Sequence, residues 1–194
     1  EPRIIDAHVH LWEAPSEKYP YAAGFEAVTP WLPTFTPEQH FAYSGQVGKV
    51  RMNLVQMTWY GLDHSYILDL IASDPETFVG TGIVAAVTDI SLAEPAKQMV
   101  ALSKRGCYAF RQREWSTGPL SGSSGHWMDY DVYDQMYQAG ADNNLAISYL
   151  MGQDGLPEVD RMCTKYPGTP IILDHVSGCR IKNGVFPKEP LERL

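Results

Sequence analysis

The chain has 194 residues, 44% hydrophobic and 20% charged, with 16 Gly and 14 Pro, a globular composition that excludes a disordered or low-complexity polypeptide. Fifteen Lys+Arg against 23 Asp+Glu give a net charge of −8, and without basic runs such a chain is a poor partner for nucleic acid or an anionic membrane surface. No apolar run approaches the roughly 18 residues of a membrane span, and Cys107, Cys163 and Cys179 are too few and too scattered for a disulfide framework or a zinc knuckle.

Six short apolar runs read as strands: Arg3–His10, Gly48–Thr58, Phe78–Val87, Gly106–Arg113, Leu145–Leu150 and Pro170–Val176. Amphipathic stretches lie between them at Asp63–Ser73, Ser91–Lys104, Asp131–Ala139 and Pro157–Tyr166. Pro157 suits the first turn of its helix, and Asp131 is placed to cap the one before it. Strand–helix alternation implies an α/β fold with parallel strands and crossover helices. No glycine fingerprint follows the first strand, which argues against a dinucleotide fold. Polar residues instead gather at the C-terminal ends of several strands, as in a (β/α)8 TIM barrel.

A complete barrel needs eight units and about 250 residues. Only about six are present, and 18 residues follow Val176. An open parallel sheet exposes two edges, so residues 1–194 are expected to be a single barrel domain, C-terminally incomplete. The chain opens on Glu1 rather than Met, which leaves the compartment open between cytoplasmic and, after removal of a signal peptide, exported or periplasmic.

Leu11–Gln46 is irregular, with five prolines and eight aromatic residues. A loop of that length in a compact domain is usually functional, and its aromatic content reads as a lid over the strand ends. Ser116–Gly125 reads as a flexible loop.

The sharpest motif is Asp6-Ala7-His8-Val9-His10. Side chains alternate along a strand, so His8 and His10 point the same way. Two imidazoles at a strand end can bind one metal or hydrogen-bond a carbonyl oxygen. His175 ends the sixth strand with the parity of Ile171 and Leu173, which turns Asp174 the other way. Arg111 and Arg113 share a face of the fourth strand. Either an internal acid such as Glu114 pairs with one of them, or they hold a substrate carboxylate bidentately. Thr58 and Tyr149, at the ends of the second and fifth strands, offer hydroxyls to a substrate oxygen. His40, His64 and His126 read as solvated surface, Cys107 reads as core, and no Ser–His–Asp arrangement stands out.

The blocks Ile4–Trp12, Val55–Asp63, Phe110-Arg111 and Ile172–Gly178 together resemble the amidohydrolase superfamily. The similarity is to its amidohydrolase-related branch, family 2, which includes 2-pyrone-4,6-dicarboxylate lactonase and L-fuconolactonase. The resemblance implies a (β/α)8 barrel in which His8, His10 and His175 bind a divalent metal, zinc or manganese, or polarise the substrate carbonyl without one. It implies that an arginine like Arg111 holds a substrate carboxylate. It also implies an acid on an eighth strand as the base that activates water. That strand would lie beyond Leu194, so this stretch alone is expected to be inactive. The implied activity is hydrolysis of a lactone or related cyclic ester of a small carboxylated or sugar-acid substrate. The alternatives are metal-dependent amide hydrolysis or decarboxylation on the same barrel, and a non-catalytic barrel that binds small molecules.

Overall fold

The computed structural model describes residues 4–45, 50–84, 94–113, 127–181, 183–185, 188–192 and 194, with Arg113, Pro190 and Leu191 described in their backbone only. Elements follow in the order β1 (Ile4–Val9), α1 (Pro37–Ser44), β2 (Val50–Val55), α2 (Ser65–Ser73), β3 (Phe78–Ile83), α3 (Pro95–Ser103), β4 (Cys107–Arg113), α4 (Asp131–Asn143), β5 (Ala146–Leu150), α5 (Leu156–Lys165), β6 (Ile171–Leu173) and α6 (Lys188–Glu192). All six expected strands and all four expected helices are present. The chain forms two compact units, one of Glu1–Ile83 with Leu102–Tyr108 and the other of Val84–Ala101 with Ala109–Leu194. In each unit the strands run parallel and their sheet order follows chain order. This succession of parallel strands and crossover helices is part of a (β/α)8 TIM barrel.

In the first unit β1 pairs with β2, and β2 with β3. Met52, Leu54, Val55 and Phe78 are buried, as a parallel sheet covered on its faces requires. Gly80 permits close packing, because a Cβ there would stand 2.7 Å from Cys107 Sγ and 3.0 Å from Ile71 Cδ1. Cys107 is core, as expected, and burial pushes its thiol pKa up to about 12.

Three details of the first unit differ from the sequence reading. Strand β2 stops at Val55, so Thr58 opens a 3-10 turn (Thr58–Tyr60) rather than ending a strand. The buried Gln56 side chain closes that turn by donating to the carbonyls of Gly61 and Asp63 (3.2 and 2.6 Å). The long irregular segment also holds a helix. Thr36 and Gln39 form a reciprocal capping box that starts α1, with Pro37 in its first turn. The rest of that segment packs on the turn after β2. Trp12 meets Trp59 edge-to-face at 5.6 Å between ring centroids, and Ala22 N–H donates to Trp59 O at 2.7 Å. Finally, His40 and His64 are buried rather than solvated. His64 Nε2 accepts the Ile83 N–H at 3.0 Å.

In the second unit β4 pairs with β5, and β5 with β6. Helix α4 contributes buried Tyr133, Met136 and Tyr137. It ends at Asn144, whose φ of 52° is the left-handed cap that Asn tolerates. Asp131 begins this helix rather than capping it; the cap is Tyr130, with no side-chain bond. Pro157 lies in the first turn of α5. Strand β6 stops at Leu173, three residues short of the expected end. His126, Glu114 and the Ser116–Gly125 loop lie outside the described residues. Among the described residues no helix is long and apolar enough to cross a membrane.

Candidate active site

In the first unit the end of β1 carries the two histidines. Their rings meet edge-on, with His8 Nε2 3.3 Å from His10 Nε2. His10 Nδ1 lies 2.8 Å from the Val55 carbonyl oxygen. A carbonyl only accepts, so this bond places the proton on Nδ1 and leaves the Nε2 lone pair facing His8. A backbone carbonyl on the far nitrogen is the support a metal-binding imidazole needs. The spacing fits as well, since two nitrogens about 2.0–2.1 Å from one tetrahedral zinc stand about 3.3–3.4 Å apart. The two imidazoles therefore suit a divalent cation. Among the described residues no group of three His, Cys, Asp or Glu side chains comes together to hold one.

The strand under this pair is not regular. Asp6 is opposite Met52 and Val9 opposite Leu54, so β1 advances three residues while β2 advances two. That is a β-bulge at Ala7–His8. Simple alternation anticipated that His8 and His10 share a direction but gave no sign of the bulge. It is accompanied by a second histidine contact that the sequence reading missed. His40 Nε2 is 3.3 Å from Asp6 Oδ2, and Ser44 Oγ is 3.0 Å from His40 Nδ1. The i, i+4 spacing of His40 and Ser44 was the available signal, but it is invisible without the helix.

In the second unit the residues after β6 overturn the parity argument. Asp174, His175, Val176, Ser177 and Gly178 form a 3-10 segment, in which His175, Val176 and Ser177 have φ of 53°, 52° and 48°. Once the chain leaves extended geometry, alternation no longer applies. Asp174 is buried and His175 is exposed. Arg111 Nε donates to Asp174 Oδ2 at 2.7 Å, both side chains being at most 5% exposed, and Ser148 Oγ donates to Asp174 Oδ1 at 3.0 Å. Arg111 therefore has an internal acid beside it, Asp174, while Glu114 lies outside the described residues. Arg113's side chain lies outside the described residues.

Tyr149 is also not a rim residue. It is 1% exposed, its hydroxyl is 2.9 Å from Tyr137 Oη of α4, and it donates to Met128 Sδ at 3.7 Å. Burial raises its pKa well above that of an ordinary phenol. Thr58 is half-buried in its turn. A groove of about 790 Å³ opens between α5 and β6, lined by Leu156, Val159, Cys163, Ile171 and Leu173, with Asp154 and Asp160 as its charges. It gathers no acid–base pair of the kind chemistry needs.

A probable 2-pyrone-4,6-dicarboxylic acid hydrolase from Acinetobacter baumannii, with citric acid bound, aligns at a TM-score of 0.69 and 14% identity, over 97% of this chain and 64% of that one. An amidohydrolase from Burkholderia multivorans with HEPES bound aligns at 0.65 and 17% identity, over 100% of this chain and 63% of that one. A zinc-bound structure of a Burkholderia multivorans amidohydrolase aligns at 0.55 and 17% identity, over 89% and 57%. The chain thus spans less than two thirds of each. No curated protein matches the sequence. At these identities the structures show a shared fold. The family follows from a separate match: the amidohydrolase family model covers residues 5–192, from the strand that carries the histidine pair through to α6, and the chain belongs to that family.

Proposed function

We propose that this chain carries part of a hydrolase site in which His8 and His10 hold a divalent metal, zinc or manganese, and act on the carbonyl of a small carboxylated substrate. The observation that carries this reading is the 3.3 Å approach of the two Nε2 atoms, with His10 fixed through Nδ1 by Val55. When bound, such a metal polarises a carbonyl and lowers the pKa of water. The chain's own part is to present two imidazoles whose Nε2 atoms converge, with the tautomer of His10 set by the Val55 carbonyl. The fold and family match support a hydrolase. A lactone or related cyclic ester of a carboxylated or sugar acid is the proposed substrate, in keeping with the pyrone hydrolase among the structural relatives. His175 is proposed as a further catalytic residue on the second unit, and residues 1–194 as belonging to one barrel domain. Thr58 and Arg113 are proposed to contact substrate.

A second reading, metal-dependent hydrolysis of an amide on the same pair, draws support from the zinc held by one Burkholderia amidohydrolase. Product analysis separates the two. A polypeptide that includes residues 1–194 together with the eighth-strand acid the family resemblance implies, loaded with zinc or manganese, is offered 2-pyrone-4,6-dicarboxylate, a sugar-acid lactone and a cyclic amide. Ring opening of the first two with the third untouched supports the lactonase reading. His8→Ala should reduce turnover by at least about 10²-fold, the scale on which one preorganised electrostatic partner acts. Equal turnover in His8→Ala, or in metal-stripped protein, would sink the metal reading.

A further inference from the structure

The backbone groups of the β1 bulge are met by side chains. Asp6 Oδ1 accepts the His8 N–H at 3.4 Å, and Asn53 Nδ2 donates to the Ala7 carbonyl at 3.0 Å. Asp6 therefore spends one carboxylate oxygen on the peptide that separates His8 from the regular ladder. Its other oxygen faces His40 of α1 at 3.3 Å. The two partners are unequally placed: the His40 side chain is 11% exposed, the Asp6 side chain 41%. A short carboxylate that open to water has several accessible rotamers, and a buried donor on a fixed helix selects one. Helix α1 is fixed at its start by the Thr36–Gln39 capping box. Just before it, a two-way bond joins Trp12 and Phe35 (2.9 and 2.8 Å).

We propose that His40 is a positioning residue for the His8–His10 pair, holding Asp6 on the His8 amide and so maintaining the bulge that sets the pair in register with Val55 of β2. The inference rests on the reading of that pair as a metal site. Its physical basis is register. In a strand, a slip of one residue turns a side chain to the opposite face. Returning β1 to a regular ladder at Ala7–His8 shifts His8 against the paired sequence by that one step. Asp6 on the His8 N–H stabilises the bulged arrangement, and His40 keeps Asp6 there. Asn53 holds the Ala7 side of the same bulge, so the geometry is loosened rather than abolished when His40 is changed.

The test uses cobalt(II) chloride as the probe, titrated into metal-stripped protein, with the visible ligand-field absorption reporting coordination and zinc competition giving the affinity. His40→Met removes the donor at nearly constant length, and His40→Gln restores one. The expected result is a cobalt affinity about 10–100-fold weaker in His40→Met, the range typical of lost supporting bonds around metal ligands. The absorption band should be altered, the melting temperature little changed, and both affinity and band largely recovered in His40→Gln. Wild-type affinity and band in His40→Met, with binding lost in His8→Ala, would overturn the role of His40 and leave the metal site standing. No cobalt binding by the wild-type chain, or equal binding by His8→Ala, would overturn the metal reading and the positioning role with it. Should His40→Met fail to fold, Asp6→Ala, which leaves α1 intact, carries the same comparison: retained wild-type affinity counts against the proposal and a 10–100-fold loss supports it.

Discussion

A β-branched residue at φ 52° is unfavourable, and Val176 is held there between two other left-handed residues. Its side chain is half exposed, so little packing offsets the backbone conformation. Val176→Gly should therefore raise stability by up to about 1 kcal/mol, the relief of left-handed strain less the added freedom of the unfolded glycine; urea unfolding measures it. A few residues away, Arg111 and Asp174 form a buried ion pair with Ser148 as a third member. Removing one partner of such a pair leaves the other charge buried without it. Asp174→Ala should cost about 3–5 kcal/mol by urea unfolding, whereas Arg111→Met with Asp174→Leu should cost much less than the sum of the two single changes. Additive losses would show that the pair is not coupled. Strained backbone of this kind concentrates at functional sites, and here it lies directly around His175.

At the scale of elements, His64 ties the start of α2 to the end of β3 by accepting the Ile83 amide. Burial disfavours its charged form and lowers its pKa below the ordinary 6.5. The unfolded chain then binds a proton more readily than the folded one. The contribution of His64 is thus fully present above about pH 6.5 and is lost as pH falls from there through the folded value. Melting temperature should decline between pH 7 and 5, and His64→Gln, which keeps a neutral acceptor, should flatten that decline. An unchanged slope would count against it. Packing between elements is equally exacting at Gly80, where Gly80→Ala would press on Cys107 and Ile71 and should cost about 1–3 kcal/mol. The elements themselves were legible in the sequence, because apolar runs and amphipathic stretches alternate along its whole length. Their ends were less so. β2 and β6 each stop before the apolar run does, since Gln56 and Asp174 make side-chain bonds that favour leaving the ladder. Helix α1 was hidden in a segment dominated by prolines and aromatics, where the capping box and Pro37 beside it were the local start signals.

At the scale of the molecule, Ile4 and Ile5 of β1 are 40% and 69% exposed, and among the described residues β1 pairs on one side only, with β2. In a closed (β/α)8 barrel an apolar edge of this kind is covered by the last strand. The candidate site divides in the same way as the fold. His8 and His10 could be read from i, i+2 spacing alone, because a strand's alternation puts them on one side. His40 and Asp174 could not, because the first contact spans 34 residues and the second depends on a turn that departs from extended backbone. Arg111 was recognised as needing an anion, though not which one. The indoles of the long segment offer a last consequence. Trp12 is sealed in the interior and Trp31, 5.3 Å away between centroids, is 78% exposed. Of the five tryptophans Trp31 stands open to the buffer and Trp12 does not, so a dissolved quencher should remove less of the total emission in Trp31→Phe than in the unaltered chain for as long as that segment stays docked.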